Sequence, residues 1–201
     1  MSPPRPHDLL RIESGAPLCR GAPAWVRAAL RAAPWVVVRR DRCTPDRVPV
    51  GIRGAERWQR YPTEVSIATI AETLSPPDLL GRADSLPDLP AAQALHQAVD
   101  VLARTELRWG PGGSVGFTLA SGVCAITPDS DLDLVLTVQR VPPRRMLAAV
   151  HEALRALPAR VDVQLDLPMG GIAVEDLLSE ADRVLVRTPD GPVLTDFTTL
   201  R

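Results

Sequence analysis

The chain contains no lysine and no asparagine, and all of its strongly basic residues are arginine. A mechanism that runs through a lysine nucleophile or Schiff base is therefore excluded. Aromatic residues are scarce: Trp25, Trp35, Trp58, Trp109, Tyr61, Phe117 and Phe197 are all there are in 201 residues. The core must be assembled mostly from Leu, Val, Ile and Ala. A nucleic-acid stacking platform, which interleaves aromatics with basic residues, has little to build on. No apolar run approaches the roughly 20 residues of a membrane-spanning helix. The first residues carry no signal-peptide apolar stretch, so a cytoplasmic protein with no membrane or nucleic-acid partner is expected. Cysteine is limited to Cys19, Cys43 and Cys124. Odd in number and far apart, they suggest neither a disulfide framework nor a zinc-ligand pair and read as structural thiols.

What remains is an ordinary globular composition, 45% hydrophobic and 23% charged, of a size for one large domain or two small ones. The net charge of −1 conceals an asymmetry. Residues 1–62 hold twelve arginines and five acids, whereas residues 63–201 hold eleven arginines and nineteen acids. Opposed signs in two halves point to two units with different tasks.

In the basic half, residues 26–33 read as a helix closed by Pro34, and residues 35–38 as a buried β-branched strand. Residues 48–52 form a second strand candidate weakened by Pro49. Residues 65–74 read as a further helix. Residues 77–91 are rich in proline and make the best linker candidate. They divide a basic N-terminal unit, residues 1–76, from a C-terminal unit, residues 92–201. In the latter, residues 92–104 have helical spacing, and residues 106–109 read as a short strand before the glycine-rich turn at 110–114. A short helix or extended segment follows at 115–120. Residues 132–138 are a strand, 144–157 a helix, and 161–167 alternate strictly, as a half-buried strand does. A helix at 174–181 and a strand at 184–186 complete the chain.

The chemistry concentrates at Ser130-Asp131-Leu132-Asp133-Leu134. Side chains alternate along a strand, so Asp131 and Asp133 share one face about 6–7 Å apart, within reach of one hard cation. With 24 acids in the chain, such a pair also arises by chance. Its setting adds weight: Gly113-Ser114 precedes it, and Asp162 lies in the strand after the next helix. Three carboxylates on neighbouring strands repel one another unless a cation holds them. Bound Mg²⁺, or Mn²⁺, is the natural explanation, because such ions take carboxylates, waters and substrate phosphates. Asp166 competes with Asp162 for the third place, being on the same face four residues on. Arg39, Arg40, Arg53, Arg57 and Arg60 form an arginine excess suited to phosphate, which a guanidinium binds through paired hydrogen bonds. His96 and His151 read as helix residues, His7 is given no role, and Ser121 and Ser130 have no paired base.

The order of Gly-Ser turn, Asp-x-Asp strand, helix and third acid resembles the nucleotidyltransferase superfamily. More particularly, Gly113-Ser114-Val115-Gly116-Phe117, Ser130-Asp131-Leu132-Asp133-Leu134 and Val161-Asp162-Val163-Gln164-Leu165 resemble the malonate decarboxylase holo-acyl-carrier-protein synthase family, also called phosphoribosyl-dephospho-coenzyme-A transferases. The basic half is similar too, at His7-Asp8-Leu9-Leu10, Val38-Arg39-Arg40, Val50-Gly51-Ile52-Arg53-Gly54 and Arg57-Trp58-Gln59-Arg60-Tyr61. At Thr118 the chain departs from the family's pattern, which has an acid or amide there. The resemblance implies an α+β fold: a C-terminal nucleotidyltransferase-fold domain, with a mixed sheet and flanking helices, plus a smaller basic N-terminal α+β domain. It implies transfer of a phosphoribosyl-dephospho-coenzyme-A unit from 2′-(5″-triphosphoribosyl)-3′-dephospho-coenzyme A to a serine of the malonate decarboxylase acyl carrier protein, with release of pyrophosphate. Asp131, Asp133 and Asp162 would hold Mg²⁺ and serve catalysis. Gly113 and Ser114 would bind the triphosphate, and the arginines would bind the donor or the carrier protein. Two rivals remain: a nucleotidyltransferase that uses ATP or another NTP, and a non-enzymatic anion-binding module.

Overall fold

The computed structural model describes residues 3–13 and 21–200; Cys19 lies outside them. The fold is α+β, with two sheets and several helices. The N-terminal sheet contains β1 (Leu9–Ile12), β2 (Trp35–Val38), β3 (Arg47–Arg53), β4 (Arg60–Ser66) and β5 (Ile70–Leu74). Its order is β4-β3-β2-β1-β5, and every neighbouring pair is antiparallel. Helix α1 (Ala24–Ala32) contributes its buried Val26 to a core with Val36, Val38, Val48, Val50 and Ile52.

β2 is apolar on both faces because it is buried on both. Val36 and Val38 belong to the core under α1, whereas Trp35 belongs to the main core shared with the rest of the chain. β1 does the same, with Leu10 in the first core and Leu9 in the main one. A strand covered on both sides reads as a continuous hydrophobic run.

The helix expected over 65–74 is not formed. Those residues end β4, pass through a one-turn 3-10 segment (Ile67–Thr69), and form β5. Thr63 and Val65 point inward with period two, and the Ser66 hydroxyl accepts from the Ala68 N–H, turning the chain. The proline-rich stretch read as a linker is folded. Pro76–Ser85 is a 3-10 segment started by a Ser75–Asp78 capping box, and it buries Leu79 completely. It lies on the backbone at residue 110, where a Cβ would sit 2.0 Å from the Pro76 carbonyl oxygen, so only glycine is accommodated.

The C-terminal sheet contains β6 (Arg108–Pro111), β7 (Leu132–Thr137), β8 (Val161–Leu167), β9 (Gly170–Ala173), β10 (Arg183–Thr188) and β11 (Gly191–Asp196). Its order is β11-β10-β9-β8-β7-β6, mixed because β7 and β8 are parallel. Helix α4 (Arg144–Arg155) makes the crossover between those two strands, as parallel neighbours require. Helices α2 (Pro90–Leu102) and α5 (Val174–Leu178) pack with it. Helix α3 (Gly113–Ser121) is nearly all buried and touches β1, β2, β6, β7 and the 3-10 segment of residues 76–85. It sits where the two sheets meet. No helix is long and apolar enough to cross a membrane among the described residues.

Polar ties also join the sheets. Arg40 pairs with Asp166, both about nine-tenths buried, and His7 contacts Gln164 at 3.0 Å. Removing one partner of a buried pair leaves a charge stranded. Arg40→Met is therefore expected to cost about 3–5 kcal/mol in chemical denaturation, while Arg39→Ala, at an exposed position, costs under about 1 kcal/mol. Equal small costs would contradict the structural role of the pair.

Asp8 is 6% exposed and accepts a hydrogen bond from the Arg5 N–H at 2.8 Å. Burial, with smaller contributions from the Asp78 and Asp166 carboxylates, outweighs the Arg5 hydrogen bond and pushes its pKa up to about 6. Below the unfolded value of about 3.9, Asp8 is protonated in both states. As pH rises from there through about 6, the folded state loses stability because the buried carboxyl is forced to ionise. Asp8→Asn is expected to be more stable than wild type at pH 8 by about 1–3 kcal/mol, with the gap closing towards pH 4. A gap independent of pH would contradict the assignment.

Candidate active site in the seam between the sheets

Backbone contact decides the geometry of the acidic strand. The Gly112 N–H donates to the Asp133 carbonyl at 2.8 Å, holding the start of α3 against β7. Gly113 then takes φ of +54°. A Cβ there would lie 1.8 Å from Asp133 Oδ2, so its lack of a side chain lets the carboxylate rest on the Gly113 backbone. Ser114 is buried in the first turn, beside the free N–H groups of a helix start, which favour anions. Thr118 holds this turn in place: its hydroxyl donates to the Ser114 carbonyl at 2.9 Å and accepts from the Ala125 N–H at 3.0 Å.

β7 and β8 pair in register, with Asp133 opposite Asp162. Leu132, Leu134 and Leu136 are buried and point away from Asp133, as strand alternation requires. Asp133 opens to solvent, yet protein surrounds its carboxylate closely enough that desolvation raises its pKa, followed by the charges of Asp162 and Asp131. Asp166, the alternative third acid, is turned to Arg40 instead.

The facing wall comes from the N-terminal sheet. Arg53 and Arg60 end the β3–β4 hairpin and Arg57 lies in its turn. With Gly113, Ser114, Asp131 and Asp133 they line a cavity of about 340 Å³. Arg57 reaches Asp131 at 3.6 Å, and Arg53 donates to the Ala125 carbonyl at 3.1 Å. Burial first, then the Arg60 and Arg57 charges, bring the Arg53 pKa down to about 10 against the opposing pull of Asp133. Burial and Arg57 likewise lower Arg60. One wall thus holds guanidiniums that repel one another, and the other holds carboxylates that do the same.

The arginines anticipated from the sequence do not all converge. Arg53, Arg57 and Arg60 meet at this cavity. Arg39 is exposed and pairs with Asp41 at 3.5 Å, and Arg40 is committed to Asp166. His96 is exposed on α2, Ser121 donates to the Phe117 carbonyl, and Ser130 accepts from the Thr127 N–H. Cys43 and Cys124 are exposed free thiols. Sequence reasoning gave no role to His7, Gln164 and Arg187, which line a second cavity of about 560 Å³ on the other side of Asp133. Their spacing along the chain carries no local signature.

Among the described residues, no three His, Cys, Asp or Glu side chains converge as a ready metal cage. Arg57 approaches Asp131, and Arg160 donates to Asp162 at 3.0 Å. The donor chemistry nevertheless suits a hard divalent cation. All the candidate ligands are carboxylates, and Mg²⁺ commonly takes only one or two of them, completing its shell with water and substrate phosphate.

The comparisons with known proteins agree over nearly the whole chain. Residues 5–76 match the family model "Phosphoribosyl-dephospho-CoA transferase MdcG N-terminal domain", and residues 78–197 match "Phosphoribosyl-dephospho-CoA transferase MdcG C-terminal domain". A relative from Pseudomonas aeruginosa is 42% identical over 195 residues, covering 96% of this chain and 92% of its own. One from Pseudomonas syringae pv. tomato is 41% identical over 187 residues, covering 92% and 89%. One from Azotobacter vinelandii is 40% identical over 192 residues, covering 94% and 91%. All three are named phosphoribosyl-dephospho-CoA transferase. No solved structure matches the chain. By these matches the chain is a transferase and belongs to the phosphoribosyl-dephospho-CoA transferase family.

Proposed function

We propose that this enzyme transfers the 2′-(5″-phosphoribosyl)-3′-dephospho-coenzyme-A group from its triphosphate donor to a serine of the malonate decarboxylase acyl carrier protein. The observation that carries the reading is the pair of opposed walls of one cavity, Arg53, Arg57 and Arg60 against Asp131 and Asp133, with Asp162 opposite Asp133 on the next strand. Neither wall is balanced by itself. A triphosphate accompanied by divalent cations relieves both, since its oxygens answer the arginines and the cations answer the carboxylates.

In this reading the α3 start at Gly113 and Ser114 and the three arginines bind and orient the triphosphate. Asp131 and Asp133, with Asp162 rather than Asp166, hold Mg²⁺. When bound, that ion supplies charge neutralisation on the leaving pyrophosphate and polarises the attacking hydroxyl. The carrier serine Oγ forms a bond to the phosphorus beside the ribose, the bond from that phosphorus to the pyrophosphate breaks, and the serine proton is released. Positioning and electrostatics account for most of the catalysis in such a transfer.

The reading is tested by the intact mass of purified carrier protein after incubation with enzyme, Mg²⁺ and the triphosphoribosyl donor, with ATP in a parallel reaction. A gain matching the phosphoribosyl-dephospho-coenzyme-A group is expected with the donor alone. A gain matching AMP would hand the site to nucleotide transfer.

Asp131→Asn and Asp133→Asn are each expected to lower transfer by at least about 10²-fold with the circular dichroism spectrum unchanged. Retained activity in either variant would contradict the metal-holding role. Gly113→Ala is expected to abolish transfer, because its Cβ collides with Asp133 Oδ2. Gly112→Ala is expected to be tolerated, because its Cβ meets Val135 at an ordinary 3.4 Å. Similar losses in both variants would argue against the Gly113–Asp133 contact as the critical one.

A further inference from the structure

Three cavities form a chain across the seam. The arginine-walled cavity shares Gly113 and Asp133 with the cavity of about 560 Å³. That cavity in turn shares His7, Gln164 and Arg187 with a third, of about 550 Å³, which also takes in Arg39, Val38 and Leu185. The two ends are both cationic, and the carboxylates lie between them.

The far end is built from both sheets: His7 precedes β1, Arg39 follows β2, and Arg187 and Leu185 lie on β10. Arg187 is exposed and makes no ion pair among the described residues. Among the described residues, the one ion pair of Arg39 is the loose contact to Asp41. His7 adopts a φ of +74°, unusual for a residue with a side chain, and its ring contacts Gln164 at the junction of the cavities. Burial lowers the His7 pKa, opposed by the Asp166 carboxylate and reinforced by the Arg40 and Arg187 charges. Apolar Val38 and Leu185 complete the wall.

We propose that this far cavity binds the coenzyme arm of the donor, its 5′-diphosphate on Arg187 and Arg39 and its pantetheine chain along Val38 and Leu185. This rests on the transfer reaction proposed above. That donor carries two separate phosphate groups, a triphosphate and a diphosphate, joined through ribose and adenosine. Two cavities carrying arginines, joined through one that contains Asp133 and Asp162, follow the same order of charge, with the reacting phosphorus lying over Asp133. The volume is of the size small-molecule sites have, and paired guanidiniums suit a diphosphate.

The test is calorimetric binding to the full chain of two probes, 3′-dephospho-coenzyme A and Mg²⁺-tripolyphosphate. Thermal melts confirm that each variant is folded. Arg187→Ala combined with Arg39→Ala is expected to weaken dephospho-coenzyme A at least tenfold and to leave tripolyphosphate within about twofold. Arg57→Ala is expected to do the reverse. Weakening of dephospho-coenzyme A by Arg57→Ala and not by the Arg187/Arg39 pair would overturn the proposal. So would tripolyphosphate binding by a wild-type protein that shows no affinity for dephospho-coenzyme A, an outcome that leaves the transfer reaction standing. Affinity for neither probe, with no transfer to carrier protein, would overturn both.

Discussion

The contact between the Gly113 backbone and the Asp133 carboxylate is the constraint on which the rest of the site depends. It brings the start of a buried helix onto an acidic strand so closely that no side chain fits between them. Amide hydrogens that favour anions and carboxylates that favour cations are thereby set side by side. Burial, then the charges of Asp162 and Asp131, raise the Asp133 pKa, and a cation held at this strand would offset both.

The same helix explains why the basic N-terminal residues belong to the site. α3 packs on β1 and β2 of one sheet and on β6 and β7 of the other, so the β3–β4 hairpin is carried over the acidic strand. Trp35 and Leu9 enter the main core from the N-terminal sheet, and the Arg40–Asp166 pair fixes β2 against β8. The charge asymmetry along the sequence becomes, in space, a basic wall facing an acidic one. Opposite charges fix register and orientation in such a seam more than they add raw stability.

Much of this was legible in the residues. The Leu132, Leu134 and Leu136 alternation marks β7, the alternation at 161–167 marks β8, and the valines after Trp35 mark a strand buried on both faces. The Gly113-Ser114 turn and the Asp-x-Asp pair are local in sequence and stand together in the structure. What was not legible depends on distant partners. Residues 65–74 have enough apolar side chains for either period, and only pairing with β1 and β3 selects two strands. The prolines at 76, 77, 87 and 90 suggest a linker because proline breaks regular structure, whereas Gly110 gives the segment at 76–85 a surface to lie on. The division of the arginines into Arg53, Arg57 and Arg60 on one side, Arg39 on another and Arg40 in an ion pair follows from contacts across as many as 126 residues, which no local pattern encodes.

The most direct measurement is a crystal structure of the enzyme soaked with Mn²⁺ and an unreactive triphosphate analogue of the donor, with the metal located by anomalous scattering. The expected map places the metal signal at Asp131 and Asp133, with Asp162 beside it, and the triphosphate between Ser114 and the Arg53, Arg57 and Arg60 guanidiniums. Metal or triphosphate bound away from these residues, with Arg57 still paired to Asp131, would contradict a single site built by both sheets.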